Sequence, residues 1–380
     1  MEIKGLYHLF LHQFIRGLAF SLVGVFIPIY FLTLGYSFTS VLVYFLIFHT
    51  VTFIFTPIAL LSAKKIGYKI SIITSAVFVI LFLVFLNLLE QTNIPILFIA
   101  TIAGIENALY FIPLHAFFTR LTDNQMRGKQ FSRYSSMGQF AGLMGPLVGA
   151  IIATFLGFAY LFYITIFFII ISVIPLFYLN DVKPATKLKM SRIPHLLKKN
   201  KIFFFGTILD NIRGETEGLI WPIFIYFGLK NLISVGWISL LVGIGTILFT
   251  LLVGHFHDKK SKYFFLRLGA VLYAILWLMR IYFDMPIALY TLSLFAGFFS
   301  LMIAIPYNAI FYDKAAEKKD PDEFILFIEI PNFIGRSFLW ILMIFLADKF
   351  IVAFILAGIA SLLFAFFKFE PLKSEKVLSN

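Results

Sequence analysis

Long apolar stretches separated by short polar breaks run through the whole chain. Twelve of them lie at 8–34, 38–62, 70–89, 95–118, 131–156, 158–180, 202–228, 232–254, 264–283, 285–311, 324–347 and 349–369. An α-helix rises about 1.5 Å per residue, so about 20 residues cross roughly 30 Å of hydrocarbon. Strands of a β-barrel would instead show alternating polarity over about ten residues. The pattern predicts an all-α polytopic membrane protein with twelve transmembrane helices.

The second six spans repeat the first six in parallel order. The tripeptide Ile-Arg-Gly at 15–17 recurs at 212–214, an offset of 197 residues, and Ile-Pro at 112–113 recurs at 305–306, an offset of 193 residues. A membrane protein built from two such halves usually binds its ligand at their interface and rocks around it. We therefore predict a carrier made of two parallel six-helix repeats. Its predicted parts are an amino-terminal half at 1–180, a basic linker at 181–201, a carboxy-terminal half at 202–369 and a cytoplasmic tail at 370–380.

Composition narrows the class further. Hydrophobic residues make up 61% and charged residues 13% of the chain, whereas soluble domains carry about 25% charged residues. The chain has no cysteine, which excludes disulfides and zinc–cysteine sites. No nucleotide-binding P-loop, HExxH motif or nucleophile elbow occurs in it. We therefore expect no enzyme activity, no cofactor and no metal site.

The net charge of +12 is explained by where the basic residues lie. Of the 31 Lys and Arg residues, Lys230 and Lys349 lie at one end of the spans and four arginines lie deep within them, which leaves 25 at the other end. This asymmetry follows the positive-inside rule and predicts a protein of the cell membrane with both termini and the linker in the cytoplasm. The basic charge then needs no nucleic-acid partner. We expect a monomer surrounded by the lipid bilayer.

The loop after the eighth span carries a recognisable motif. Residues 254–262 read GHFHDKKSK, with Gly254 at the helix end, Asp258 in the acidic position and Lys259 after it. Together with the two six-span halves, this loop resembles the major facilitator superfamily, in which G-x-x-x-D-[RK]-x-[GS]-[RK] follows the second helix of each half. The resemblance covers essentially the whole chain. It implies that Asp258 accepts hydrogen bonds from the positive amino end of the fifth span and latches one conformation. The first half departs from the pattern, because Lys64 occupies the aspartate position.

Small residues recur along the fifth span at Gly138, Gly142, Gly145 and Gly149, with Pro146 among them. Their 4-3-4 spacing forms a stripe for close helix contact, and the proline can kink the helix. The stripe resembles a loose version of the superfamily's antiporter motif, which is typical of exporters. Plain helix packing explains it equally well.

The seventh span contains the densest group of charges. Asp210, Arg213 and Glu217 follow i, i+3, i+7 spacing and share a helix face that Trp221 continues, whereas Glu215 points elsewhere. Charges at this depth cost several kcal/mol unless they are paired or hydrated, so by default they mark a water-filled path. Further candidates for the substrate and proton pathway are Arg16, Glu106, Asn107, Asn308, Glu329, Asn332 and Arg336.

These deep charges do not balance. We expect Arg280 to pair with Asp284, four residues on, which leaves three central arginines against five carboxylates. Either a carboxylate carries a proton, or a cationic ligand completes the balance. Glu106 has no cation on its own helix at i±3 or i±4 and is the expected coupling carboxylate.

The leading interpretation is a proton-coupled secondary-active transporter of small organic molecules that works by alternating access. Excess buried acid, aromatic residues and the glycine stripe favour efflux of cationic or amphipathic compounds. Three central arginines instead allow symport of an organic anion or another nutrient. A non-transporting sensor or scaffold on a carrier fold is the alternative of another class, because fold does not fix function. The expected partners of a carrier are its small-molecule substrate and protons.

Overall fold

A computed structural model describes residues 2–121, 127–181, 193–256, 262–283, 285–316, 321–346 and 349–367. Regular structure in these ranges is entirely helical. The helices are α1 Glu2–Val23, α2 Phe26–Thr33, α3 Phe38–Ile66, α4 Tyr68–Leu88, α5 Ile96–Leu121, α6 Arg127–Phe155, α7 Phe158–Phe177, α8 Ile193–Lys199, α9 Lys201–Glu215, α10 Trp221–Leu229, α11 Leu232–Phe256, α12 Lys262–Tyr282, α13 Pro286–Ala316, α14 Pro321–Phe345 and α15 Phe350–Leu363. A π-helical turn, Thr216–Ile220, joins α9 to α10.

The described helices account for the predicted spans. Nine segments are long and apolar enough to cross a membrane, among them the joined helices α1 and α2. The fifth and twelfth spans contain shorter apolar helices, Phe140–Phe155 within α6 and Phe350–Phe366 at α15. The seventh span is α9 and α10 with the π-helical turn between them. The chain is therefore an all-α membrane protein with the twelve-helix architecture that its hydrophobic pattern predicts.

Helix packing repeats between the two halves. In the first half α1 packs against α6 and α7, α5 against α3 and α4, and α4 against α7. In the second half α9 packs against α14 and α15, α13 against α11 and α12, and α12 against α15. These are the same pairings by order of span. Two further pairings, α3 with α14 and α6 with α11, join the halves and also exchange under the repeat.

The glycine stripe of α6 lies between α1 and the second half. Gly145 faces Ser21 and Gly149 faces the backbone of Leu22, so a side chain at either position would clash with α1. Gly142 has no heavy atom within 4 Å of the position a Cβ would take. On another face of α6, the carbonyl oxygen of Pro146 comes within 2.9 Å of the position a Cβ on Gly236 of α11 would take. Close approach therefore explains part of the stripe, and the inter-half contact uses Gly236.

The first and seventh spans are interrupted at nearly equivalent depths, between α1 and α2 and at the π-helical turn Thr216–Ile220. A π turn adds a residue to the helical ladder and rotates the side chains around it. Such turns cannot be recognised from apolar periodicity. Glu217 lies within this turn, beyond the end of the α9 helix that carries Asp210 and Arg213.

The central loop begins with a contact to the first half. The backbone amide of Lys69, in the first turn of α4, donates to Oδ1 of Asp181 at 2.9 Å, and its Nζ donates to the carbonyl of Leu179 at 2.8 Å. Gly67 turns the chain between α3 and α4 with φ +101°. Asp181 therefore places a carboxylate at the amino end of α4. This is the loop between the second and third spans, where Lys64 occupies the position of the motif aspartate. The predicted latch residues Asp258 and Lys259 lie outside the described residues, and Gly254 falls within α11.

Candidate functional site

A cavity of about 340 Å³ lies within the first half. It is lined from α1 to α5 by Gln13, Arg16, Gly17, Phe20, Gly24, Ile27, Tyr44, Phe45, Phe48, Phe82, Ala103, Glu106, Asn107, Tyr110 and Phe111. Seven of its fifteen lining residues are aromatic, and its charged and amide side chains lie on α1 and α5. Small-molecule sites commonly enclose roughly 300–1,000 Å³ and combine apolar walls with a few polar groups. The cavity has the size and composition of such a site.

A buried ion pair lies in the wall of this cavity. Arg16 of α1 binds Glu106 of α5, and the two side chains are only 4% and 8% exposed. The guanidinium also lies over the ring of Tyr110, 3.5 Å from its centroid, and 4.7 Å from that of Phe20. The expectation that Glu106 is unpaired was therefore wrong. Its cation comes from another helix, which spacing along α5 cannot reveal.

The same pair leaves a donor unused. Nη1 of Arg16 is buried without a hydrogen-bond partner, while its Nη2 binds Glu106. Next to it, the hydroxyl of Tyr110 donates to Oε1 of Gln13 at 2.8 Å. Behind them His12 is buried, with Nδ1 2.6 Å from the carbonyl oxygen of Ser172. This side of the cavity is therefore a neutral ion pair supported by the Tyr110–Gln13 hydrogen bond.

The second half contains two further ion pairs, each with a buried arginine. Arg213 binds Asp210 one turn away on α9. Glu217 accepts hydrogen bonds from both terminal nitrogens of Arg280 on α12, at 2.6 and 3.0 Å, and from the hydroxyl of Tyr273 at 2.7 Å. Arg280 was expected to pair with Asp284, which lies outside the described residues. Its contact with Glu217 means that the central arginines number four rather than three.

Trp221 is part of the packed core of the second half. Its side chain is 1% exposed and lies beneath Arg280, whose guanidinium is 3.9 Å from the ring centroid. Its indole N–H donates to the hydroxyl of Ser293 at 3.1 Å. Trp221 therefore supports the Arg280–Glu217 pair. It was predicted to continue the charged face of the seventh span, and it does not line the first-half cavity.

A third group of charges joins the two halves. Oε1 of Glu215, on α9, lies 2.9 Å from Nε of Arg336 on α14 and 3.6 Å from Nε2 of His49 on α3. The imidazole of His49 lies parallel to the ring of Trp340, with 6.3 Å between centroids. Sequence spacing set Glu215 aside because it lies off the charged face of α9. Because it lies off that face, its side chain points toward α3 and α14. Its partners are known only from the packing of the helices.

Glu329 is the remaining deep carboxylate. Its Oε1 accepts a hydrogen bond from Nδ2 of Asn332 at 3.0 Å. Oδ1 of Asn332 in turn accepts from Nδ2 of Asn211 on α9 at 2.8 Å. Among the described residues no basic side chain lies within 4 Å of Glu329. Arg336, two turns along α14, binds Glu215. Among the deep charges that the structure describes, four ion pairs are thus complete and Glu329 is left over.

The arrangement of helices is shared with known proteins. Residues 9–229, more than half of the chain, match the family model described as the Major Facilitator Superfamily. The chain belongs to the major facilitator superfamily. The crystal structure of a D-xylose-proton symporter has the same fold, with a TM-score of 0.70, 98% coverage of each chain and 15% sequence identity. No curated protein matches the chain.

Membership of the superfamily makes this a transporter protein embedded in the membrane, and not an enzyme. Of the other predicted pathway residues, Asn107 lines the first-half cavity and Asn308 is exposed on α13. Gly138 on α6 lies near Gln13, with 3.9 Å between Nε2 and the position that a Cβ would take. The described residues contain no cluster of His, Asp or Glu that could hold a metal ion.

Proposed function

We propose that the chain is a proton-coupled secondary-active transporter that carries small, uncharged amphipathic molecules by alternating access. The cavity with its Arg16–Glu106 pair is the observation that carries this proposal. The pair is neutral as a whole, so the cavity has no excess charge to attract an organic cation or anion. Its aromatic walls favour a flat apolar body, and the side-chain amides of Gln13 and Asn107 in the lining favour a carbonyl or hydroxyl oxygen on the ligand.

Contacts between the two halves, made by helices and by aromatic rings, support the alternating-access part of the proposal. The α3–α14 and α6–α11 contacts exchange under the repeat, as expected of surfaces around which two halves rock. At the end of the bundle away from the termini, the ring of Phe38 on α3 lies 5.0 Å from Phe350 and 5.9 Å from Phe227 of the second half. These rings join the two halves at that end. In the proposed topology it is the extracellular end, and both termini are cytoplasmic.

The solved relative transports D-xylose with protons, which makes a sugar the main competing substrate. A sugar presents many hydroxyl groups and needs a matching number of polar partners. The cavity instead combines seven aromatic rings with few polar side chains. This composition favours an amphipathic molecule over a polyhydroxylated one.

Ligand-induced stabilisation of the purified protein tests the proposed substrate class. Four probes represent the classes: phenylnaphthylamine as an uncharged aromatic molecule, tetraphenylphosphonium as a cation, benzoate as an anion, and D-xylose. A ligand at a hundredfold excess over its dissociation constant stabilises the folded state by about 2.7 kcal/mol. We expect stabilisation by the uncharged aromatic probe. Stabilisation by D-xylose would contradict the proposed class. So would stabilisation by the cation or by the anion without stabilisation by the uncharged aromatic probe.

A cavity-filling variant assigns the binding to this cavity. Ala103→Leu inserts bulk at a lining position, and overpacking of this kind costs about 1–3 kcal/mol, so we expect at least a roughly fivefold loss of affinity. Ala159→Leu adds the same atoms at an exposed position of α7 and serves as the matched control. Equal affinities of the two variants would place the ligand elsewhere.

A further inference from the structure

We propose that Glu329 is the carboxylate that takes up and releases the coupled proton, and that Asn332 and Asn211 transmit its protonation state from α14 to α9. The inference rests on the proposed proton coupling and names the residue that performs it. It replaces Glu106, which Arg16 neutralises.

The pairing of the deep charges supports this assignment. Each of the four central arginines binds a different carboxylate, in the pairs Arg16–Glu106, Arg213–Asp210, Arg280–Glu217 and Arg336–Glu215. Glu329 is the fifth deep acid and has only an amide donor. Protonating a paired carboxylate would strand a buried arginine, whereas protonating Glu329 strands no charge. Glu329 can therefore change its charge at the lowest cost to the rest of the bundle.

In the part of the chain that the structure describes, no other unpaired deep charge surrounds Glu329. On the helices packed against α14, the charged groups deep in the spans are Glu106, Asp210, Arg213 and Glu215, and the neutral titratable groups are Tyr44, His49, Tyr110, His115 and Tyr307. All four charged members of this group are ion-paired, and His49 lies beside Glu215. Helix α15 has no titratable residue.

The amide chain supplies a mechanical link. Asn332 donates to Glu329 and accepts from Asn211, whose Nδ2 also donates to the carbonyl of Thr207 at 2.8 Å. A carboxylate holds an amide donor more strongly than a neutral carboxylic acid does. Loss of the proton therefore tightens the Glu329–Asn332 bond, and gain of the proton loosens it. The change is felt on α9, which also carries the inter-half residue Glu215.

Infrared titration of the reconstituted protein tests the proposal without any substrate. A protonated carboxyl group absorbs at a carbonyl frequency that a carboxylate lacks. We expect a band that grows as the pH falls, with an amplitude equal to a single carboxyl group, and that is lost in Glu329→Gln. Glu90→Gln, which makes the same change at an exposed position, should retain it. Retention of the full band in Glu329→Gln would overturn the proposal.

Two further measurements test the hydrogen-bonded link and the identity of the coupled ion. Asn332→Ala removes the donor to the carboxyl and should shift the frequency of the band, which keeps the proposal testable if Glu329→Gln does not fold. An unshifted band in Asn332→Ala would contradict the link. Replacing potassium by sodium in the buffer should leave the titration unchanged, and a sodium-dependent loss of the band would identify a sodium site instead. Because the band needs no ligand, a negative result in the ligand panel would refute the proposed substrate class and leave this assignment intact.

Discussion

Removing one partner of the Arg16–Glu106 pair should destabilise the first half strongly. Both side chains are more than nine-tenths buried, so solvent screens the charge left behind very little. Breaking a buried ion pair by removing one partner costs about 3–5 kcal/mol. Glu106→Gln keeps an oxygen that can accept from Arg16, so we expect a loss of stability near the lower end, about 3 kcal/mol. Sequence spacing alone had favoured an unpaired Glu106, for which the same substitution would be nearly silent.

A double-mutant cycle separates the pair from its surroundings. Arg16→Gln, Glu106→Gln and the double variant are compared with the unmodified protein by chemical unfolding in mixed micelles, followed by tryptophan fluorescence. Neutralising both partners leaves no stranded charge, so we expect the double variant to recover about 2 kcal/mol relative to the sum of the single variants. Additive effects would refute the reasoning. So would a change of less than about 0.5 kcal/mol in Glu106→Gln, a size typical of surface substitutions.

Three further predictions concern other parts of the chain. Single cysteines at Lys187 and Thr92 in this cysteine-free protein should react with impermeant reagents from opposite sides of the membrane, and labelling from the same side would contradict the topology. Asp258→Asn should shift the balance between conformations by about 0.3–1 kcal/mol, because a neutral side chain interacts less with a helix amino terminus. Unchanged cysteine accessibility of the cavity would make Asp258 a plain surface charge. Arg280→Gln strands the buried Glu217 and should lower the free energy of unfolding by about 3–5 kcal/mol, and a thermal midpoint equal to that of the unmodified protein would contradict this.

The fold could be predicted because its signals are local or periodic. Span length follows from runs of apolar residues, and the parallel repeat follows from matches such as Ile-Arg-Gly at 15–17 and 212–214. The same repeat predicts that Arg16 and Arg213 lie at the same depth within their spans. Each of these observations needs only positions along the chain.

The partners of the charges could not be predicted in the same way. Arg16 and Glu106 are 90 residues apart and meet because α1 lies near α5. The π-helical turn has no periodic signature, so Glu217 was assigned to the face of Arg213 when it binds Arg280. Glu215 pairs with Arg336 on another helix of the second half and lies beside His49 of the first half, and a pattern within one helix reports neither contact. Positions along the chain predict which charges lie deep in the spans. The packing of helices determines which of these charges form ion pairs.

Proton movement across proteoliposomes tests the central claim most directly. A pH-sensitive dye is trapped inside vesicles that contain the purified protein, and the compound that stabilises the protein most in the ligand panel is added outside. We expect this compound to change the internal pH in vesicles that contain the unmodified protein. In Glu329→Gln the pH change should be lost, while the variant still exchanges labelled for unlabelled compound. Exchange without any pH change in the unmodified protein, or full proton movement in Glu329→Gln, would contradict it.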